Sequence, residues 1–415
     1  MIARVIGLWR RPVVKAIALS LLFALILLLR RGDSLLVPSV WNEDGKLILP
    51  DIVHNGLLTL VHSLNGYFVT IPKLIDLIAF GVSATQYPLI NAILAWLVAI
   101  GVGLTVAFAP TVLRHRSLAA LAVFLVPTDP EVFGIGLYTL WWAGILLLLV
   151  ALWKPGEGRL LWRVLILGIA GLSSPVILIV APLLVVRSAR WRMRAEIVSA
   201  AVAVAAAIMQ GIAIIENTVN RSSPAPTGFN GASAPKMVGE YLAYSWTGSA
   251  TIRIAAGFAL AFVLIAGSVL VRGRPRWPAV ALGYLLVGEI VLSLARTGGL
   301  DLDPVHAGPR YFFYPFVLIS WFLLWLVTSW RWRPLVAVPI ALLVLGLVNL
   351  PPGWSRHNVD LRWAQQVRAC AAAEGPTVFE VQFAGTTDLT WHFSLDGRDC
   401  RAWLARDPFA GSTTG

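Results

Sequence analysis

Long apolar runs alternate with short charged segments along the chain, and the apolar runs determine the predicted fold. An apolar stretch of about 20 residues is long enough for a helix to cross the hydrocarbon core of a bilayer. We therefore predict an all-α polytopic membrane protein with about eleven transmembrane helices, some of them shorter than a full crossing. The predicted spans are residues 13–29, 89–109, 118–126, 137–153, 160–173, 175–186, 197–215, 254–271, 279–294, 311–327 and 335–350.

Composition supports the membrane class. Of the 415 residues, 58% are hydrophobic and 13% are charged, whereas a soluble globular chain has about half and a quarter. The net charge of +12 would indicate a nucleic-acid partner in a soluble protein. Here lysine and arginine lie in clusters between the apolar runs, where they orient a membrane protein. We expect membrane lipids and no nucleic acid among the partners.

The basic clusters predict the topology. If the N-terminus lies inside, they all fall on the cytoplasmic side, and only Glu157 and Glu196 accompany them. We therefore predict a bacterial inner (plasma) membrane protein with a cytoplasmic N-terminus and an extracytoplasmic C-terminus. The clusters lie within residues 4–15, 114–116, 154–163, 187–194, 272–276 and 331–333.

Two domains are predicted, a transmembrane domain over residues 1–351 and a small extracytoplasmic domain over residues 352–415. The first outer loop, residues 30–88, has apolar residues at helical spacing, which predicts two amphipathic helices that lie flat at the membrane interface. They are expected to break near Gly66 and Pro72. Their apolar positions are Val53, Leu57, Leu60, Val61, Leu64, Ile71, Leu74, Ile75 and Ile78.

The C-terminal domain is predicted to be α+β. Residues 359–373 have a helical pattern, and residues 377–383 and 390–395 are typical of strands. Cys370 and Cys400 are the two cysteines of the chain. We predict that they form a disulfide, which requires an oxidising compartment.

Adjacent carboxylates in the sequence Trp41-Asn-Glu-Asp-Gly45 are the first candidate for chemistry. They are either part of an ordinary polar loop or a general base, Glu43 or Asp44, that acts on a hydroxyl near the lipid headgroups. The candidate substrate contacts in this loop are Trp41, Tyr67 and Lys73.

A second candidate is the segment Gly308-Pro-Arg-Tyr311. An arginine at the mouth of a span is costly unless an anion lies beside it, either a protein carboxylate or a lipid phosphate. Snorkelling to the headgroups would account for Arg310 alone. Because Tyr311, Arg296 and His306 accompany it across one short loop, we favour binding of a lipid phosphate.

Asp129 and Glu131 lie in a short turn that precedes Tyr138 and Trp141. The aromatic side chains belong to an interfacial belt or stack on a sugar ring. The two carboxylates are weak candidates for a divalent cation such as Mg²⁺ or Mn²⁺, which prefers oxygen ligands. Glu131, Tyr138 and Trp141 are also candidate substrate contacts.

An irregular stretch, Gly171-Leu-Ser-Ser-Pro175, separates two short predicted spans. Irregular backbone at membrane depth is stable only where protein buries it or where it lines a wet cavity. We therefore expect a cavity beneath the outer surface. Glu289, which lies inside a predicted span, either indicates the same cavity or pairs with a neighbouring helix.

In its layout, the chain resembles the GT-C superfamily of integral membrane glycosyltransferases, which use polyprenyl-phosphate-linked sugars as donors. The resemblance implies inverting transfer of a sugar to a lipid- or glycan-linked acceptor of the cell envelope, with Asp44 or Glu43 as the base and Arg310 at the phosphate. The matching features are the flat helices, the outer C-terminal domain, and the residues Glu43, Asp44, Asp129, Glu131, Arg310 and Tyr311.

Other classes remain open on the sequence alone. An envelope lipid or polysaccharide transporter of the repeat type would show interrupted helices at matching positions in two halves, and we find no convincing pair. Topology is equally compatible with an O-antigen-type polymerase. An acyl or phosphoethanolamine transferase would need a nucleophile or metal constellation that we do not find.

Overall fold

The computed structural model describes residues 12–219, 234–243, 249–271, 276–297, 302, 304, 308–330, 333–348, 351–382 and 390–410, and this part of the chain is mostly helical. The transmembrane part contains α1 (Pro12–Arg31), α2 (Asp33–Leu36), α3 (Leu49–Asn55), α4 (Thr70–Val82), α5 (Tyr87–Phe108), α6 (Arg116–Phe124), α7 (Thr139–Ala151), α8 (Leu160–Gly171), α9 (Ile177–Trp191), α10 (Arg194–Val219), α11 (Ala234–Leu242), α12 (Ala250–Leu270), α13 (Trp277–Thr297), α14 (Phe313–Ser329) and α15 (Arg333–Val348).

Six helices of the described chain are long and apolar enough to cross a membrane, as in a multi-pass membrane protein. They are α1, α5, α10, α12, α13, and α14 together with the 3₁₀ turn Pro309–Phe312 that precedes it. Each predicted span coincides with a helix, but the count of about eleven crossings is not confirmed. A helix such as α7, with 13 residues, is about 20 Å long, whereas the hydrocarbon core is about 30 Å thick.

Helices α7 and α14 form the centre of the bundle, because both are apolar on all sides and almost completely buried. Their close approach requires Gly144, since a Cβ atom there would lie 2.0 Å from the Tyr314 hydroxyl. The indole N–H of Trp321 donates to the Ala119 carbonyl at 2.9 Å, so its polar atom is satisfied within the core.

The first loop folds into more pieces than predicted. A π-helical turn, Asp44–Ile48, precedes α3, and a 3₁₀ turn, Gly56–Val61, follows it. The predicted break near Gly66 is confirmed, because this glycine has φ +92° in a tight turn. The helix that follows this break, α4, begins at Thr70, two residues before Pro72. Pro72 lies in the first turn of α4, where a proline costs no intrahelical hydrogen bond.

An apolar edge on this loop fits the predicted contact with the membrane interface. Leu57 is 77% exposed, Leu58 65% and Val61 66%. Leu74 and Ile78 on α4 are also exposed. Side chains of this type, exposed side by side, are stable when they are immersed in the headgroup boundary.

The C-terminal domain has the predicted α+β composition. Helix α16 (Trp363–Ala372) is followed by strand β1 (Pro376–Gln382), which pairs antiparallel with β2 (Thr390–Asp396), and by α17 (Gly397–Leu404). Helix α16 begins later than predicted. Arg362, the residue just before it, has φ +50°, which lies outside right-handed helical geometry. The Cys370–Cys400 disulfide joins α16 to α17.

This domain packs on the first loop. The backbone N–H of Gln382 donates to the Val40 carbonyl at 2.9 Å, and the indole N–H of Trp363 donates to the Ala84 carbonyl at 2.8 Å. The Asp407 carboxylate accepts the backbone N–H of Thr85 at 2.8 Å. The loop that carries Glu43 and Asp44 is therefore held from outside the bundle.

The buried guanidinium of Arg30, at the end of α1, ties three parts of the chain together. It lies over the Phe133 ring, with 5.0 Å from its carbon to the ring centroid. It donates hydrogen bonds to the carbonyl oxygens of Phe124, Val126, Thr128, Gly353 and Trp354. Arg30 thus fixes the turn that leads to Glu131 and the start of the C-terminal domain.

The end of the bundle opposite the first loop is rich in basic residues. Glu196 forms ion pairs there with Arg163 at 2.7 Å and with Arg187 at 3.0 Å. A groove of about 1350 Å³ lies beside these pairs. Its cationic lining residues are Arg114, Arg116, Lys154, Arg190 and Arg276.

We predict that Arg30→Met lowers the apparent melting temperature of the protein in detergent. The substitution leaves buried carbonyl oxygens without a donor, and each of these costs about 1–3 kcal/mol. The matched control is Arg190→Met, because the Arg190 side chain is exposed at the other end of the bundle. Equal melting temperatures for Arg30→Met and the wild type would contradict this role.

Candidate functional site

A cavity of about 620 Å³ opens at the end of the bundle that carries the first loop. The first loop contributes Glu43 and Tyr67 to its wall, and α7 contributes Trp141. Arg296 and Arg310 line it from the far side. Segments that are distant in sequence therefore bring acidic, basic and aromatic side chains to one space.

The irregular stretch after α8 lines this cavity, as its sequence predicts. Ser174 and Pro175 are part of the wall. The neighbouring backbone is satisfied by other segments, because the Leu172 carbonyl accepts the N–H of Thr70 at 3.1 Å and the Gly171 carbonyl accepts Gln210 Nε2 at 2.9 Å. Paired in this way, non-helical backbone is stable inside the bundle.

An ion pair holds the polar end of the cavity together. Arg310 Nη1 lies 2.6 Å from Glu131 Oε1, and the Glu131 side chain is 3% exposed. The Tyr138 hydroxyl donates to the same Glu131 oxygen at 3.2 Å, and the Arg310 guanidinium lies over the Tyr138 ring. Arg310 still faces the cavity, since 28% of its side chain is exposed.

Glu43 is the carboxylate of the first loop that lines the cavity. Its Oε2 atom accepts the indole N–H of Trp41 at 2.9 Å. Burial raises the pKa of Glu43 above its ordinary value, although the Arg310 guanidinium nearby opposes the shift. A carboxylate with a raised pKa is a stronger base than a carboxylate in water.

Asp44 lies on the other side of the loop, away from the large cavity. Its Oδ1 atom accepts the backbone N–H of Leu137 at 2.9 Å. It also hydrogen-bonds to Asp76, which requires that the two carboxyl groups share a proton. Burial raises the pKa of Asp44 well above its ordinary value, and the negative charges of Asp76 and Glu43 nearby raise it further.

Asp76 anchors this buried network and is not a residue that the sequence pattern singles out. Its Oδ1 atom accepts the Tyr87 hydroxyl at 2.6 Å and Asn91 Nδ2 at 2.5 Å. Asn91 Oδ1 in turn accepts the N–H of Gly136 at 2.9 Å. A lone acid within the apolar helix α4 is the local signal that could have identified it.

The network therefore positions the segment that precedes α7. Asp44 and Asn91 hold the N–H groups of Leu137 and Gly136, and Tyr138 follows directly. The Tyr138 ring meets the Trp41 ring edge-on at 5.5 Å. Its hydroxyl can then reach Glu131.

The structure brings most of the predicted phosphate contacts together. Arg296 and Tyr311 both line the cavity with Arg310, and the Arg296 guanidinium lies 5.5 Å from the centre of the Tyr67 ring. Trp141 contacts the Tyr311 ring edge-on at 6.0 Å. His306 lies outside the described residues.

Three predicted substrate contacts lie away from the cavity wall. One of them is Glu131, which lies behind Arg310 and Tyr138 and is hydrogen-bonded to both. Trp41 lies behind Glu43 and supports it through the indole N–H. Lys73 is 1% exposed, and its Nζ atom donates to Asp51 at 3.0 Å and to the Thr59 carbonyl at 2.7 Å. Through these hydrogen bonds, Lys73 connects α4 to the preceding turns.

The two weak metal candidates each face an arginine of their own. Asp129 lies 2.7 Å from Arg356, and Glu131 lies 2.6 Å from Arg310. In the part of the chain that the structure describes, no group of three or more histidine, cysteine, aspartate or glutamate side chains is arranged to hold a metal ion. Asp129 and Glu131 therefore do not form a shared ligand set.

A comparison of this chain with protein-family models, curated proteins and solved structures found no match.

We predict that Glu131→Gln and Arg310→Met each lower the melting temperature. The stability lost by the double variant should be smaller than the sum of the two single losses. Arg310→Met leaves the buried Glu131 carboxylate without its cation, which costs about 3 kcal/mol, and Glu131→Gln leaves the partly exposed Arg310 without its carboxylate, which costs less.

The exposed pair Lys154–Glu157 is the control, since its side chains are 48% and 52% exposed. Substitutions of these two residues should have little effect on the melting temperature, and their effects in the double variant should be additive. Strictly additive losses at Glu131 and Arg310 would refute the coupling between them.

Proposed function

We propose that this protein transfers a sugar from a polyprenyl-phosphate donor to a lipid- or glycan-linked acceptor at the extracytoplasmic face of the bacterial plasma membrane. One observation carries the proposal: a half-buried carboxylate, Glu43, faces the same cavity as Arg296 and Arg310. A carboxylate that accepts a proton and a guanidinium that binds a phosphate are the two groups that this displacement needs.

The cavity suits the donor at both of its ends. Arg296 and Arg310 supply positive charge for a phosphodiester, and arginine binds phosphate oxygens with paired N–H donors. The Trp141 ring offers an apolar face to a sugar ring. Because the cavity lies among apolar helices of spanning length, the polyprenyl chain can remain in the bilayer.

The reaction is a single displacement. The Glu43 carboxylate takes the proton of the acceptor hydroxyl as its oxygen attacks the anomeric carbon. The bond between that carbon and the phosphate oxygen breaks, and polyprenyl phosphate leaves with the bonding electron pair. The attack from the opposite face inverts the anomeric configuration. Arg310 and Arg296 stabilise the charge that develops on the phosphate.

Glu43 is a better base than Asp44 on geometric grounds. Asp44 is committed to the Leu137 N–H and to Asp76, whereas the Glu43 carboxylate accepts the Trp41 indole N–H and lines the cavity. A base acts in its deprotonated form. Because the Glu43 pKa is raised, the rate should fall with decreasing pH through a value above that of a free glutamate.

The orientation follows from charge. The basic groove lies at the end of the bundle opposite the cavity and contains Arg114, Arg116, Lys154, Arg190 and Arg276. Positive charge favours the cytoplasmic side. The cavity and the disulfide-containing C-terminal domain would then face the oxidising side.

We predict that Glu43→Gln lowers the turnover number by a factor of about 10²–10⁴, because the amide cannot accept the proton. The measurement is transfer of labelled sugar from a synthetic polyprenyl phosphate by the purified protein, with the pH profile of the wild type. Glu157→Gln, at the exposed basic end, is the matched control and should retain full turnover.

The variant Asp44→Asn distinguishes the role of Asp44 from that of the adjacent Glu43. It should reduce turnover through altered positioning while it preserves the wild-type pH profile, since Glu43 remains. Normal turnover of Glu43→Gln together with an inactive Asp44→Asn would transfer the role of base to Asp44. Normal turnover of both variants would contradict the proposed site.

A further inference from the structure

Glu289 is a buried acid that the proposed reaction does not use. It lies in α13, eight residues before the end of the helix at Thr297, which is about 12 Å along the axis. The residue is 1% exposed, and its Oε1 atom has no hydrogen-bond partner among the residues that the structure describes. A buried carboxyl group without a partner is unfavourable, so its presence in a spanning helix indicates a ligand.

The cavity is where this ligand would lie. Glu289 is part of the cavity wall, together with Ser174 and Tyr314. The Ser174 and Tyr314 hydroxyl oxygens are 3.5 Å apart, and the Tyr314 hydroxyl donates to the Leu140 carbonyl at 3.3 Å. Both contacts are long, and each hydroxyl oxygen retains acceptor capacity for another donor.

An aromatic surface adjoins these polar atoms. The Trp141 and Tyr314 rings lie 4.8 Å apart at 37°, and both line the cavity. A flat apolar surface beside a carboxyl group and two hydroxyl groups matches a sugar ring, which has an apolar face and hydroxyl groups at its edge. It does not match a phosphate, which a carboxyl group repels, nor a polyprenyl chain, which would leave the polar atoms unpaired.

We propose that Glu289, Ser174 and Tyr314 form a deep subsite that hydrogen-bonds a hydroxyl group of the transferred sugar and selects which sugar is accepted. The role in selection rests on the proposed function. A site built to bind a hydroxyl group discriminates strongly against an analogue that lacks it, because the polar groups of the site are then buried without a partner. Glu289 therefore acts in specificity, at some distance from the bond that breaks.

The test uses polyprenyl phosphates that carry a panel of hexoses and pentoses, together with the monodeoxy analogues of the sugar that the wild type transfers. The wild type should use one monodeoxy analogue at least about tenfold less efficiently than the parent sugar. Glu289→Leu should transfer the parent sugar at least about tenfold less efficiently than the wild type does, and should no longer distinguish the parent sugar from that analogue. Glu289→Gln, which still donates and accepts hydrogen bonds, should keep the discrimination.

Unchanged discrimination by Glu289→Leu would overturn the inference. Equal loss in the Gln and Leu variants would indicate a cationic amino group of the sugar and would overturn the assignment to a hydroxyl. If Glu289→Leu does not fold, Ser174→Ala and Tyr314→Phe serve in its place, and discrimination unchanged in both would overturn the proposal.

A binding measurement separates this inference from the proposed function. Octyl glycosides can be tested by saturation-transfer NMR, with the protein in a detergent that has no sugar headgroup. If the wild type transfers no polyprenyl-linked sugar, the proposed function fails. Binding that is lost in Glu289→Leu but kept in Glu289→Gln would still support the subsite, and equal binding by all three proteins would overturn it.

Discussion

The ion pair between Glu131 and Arg310 is the interaction on which the rest of the cavity depends. Its atoms meet at 2.6 Å, although the residues lie far apart in the sequence. Neither charge is stable alone at this burial, because removing a charge from water costs more than any single neutral contact returns. The pair therefore joins the turn before α7 to the start of α14. It also leaves one arginine, partly exposed, at the mouth of a cavity among apolar helices.

The two adjacent carboxylates of the first loop show how the fold delivers a reactive group. Asp44 lies within the core and is held by the Leu137 N–H and by Asp76. Glu43, one residue earlier, lines the cavity, where the Trp41 indole orients it. The C-terminal domain closes the loop from outside through Gln382. A loop at a membrane surface is thereby made rigid enough to hold a base in place.

Local properties of the chain could be predicted from its sequence. Each long apolar run coincides with a helix, and the irregular segment 171–175 indicated the cavity, whereas helix α11 (Ala234–Leu242) was not predicted. The number of crossings could not be predicted, because a short apolar run such as α6 (Arg116–Phe124) has the same local pattern whether it spans or is merely buried. The contact between Asp44 and Asp76 could not be predicted from the sequence either. Such a contact depends on how α4 packs, and a single acid in an apolar helix does not name its partner.

A cryo-electron microscopy map of the protein in lipid nanodiscs with undecaprenyl phosphate would test the central claim most directly, since the claim is that the cavity holds the donor phosphate. The account predicts phosphate density within hydrogen-bonding distance of the Arg310 guanidinium, with the isoprenoid chain leaving between the helices into the bilayer. Density that lies only in the basic groove at the opposite end, or a cavity that stays empty at saturating lipid, would contradict it.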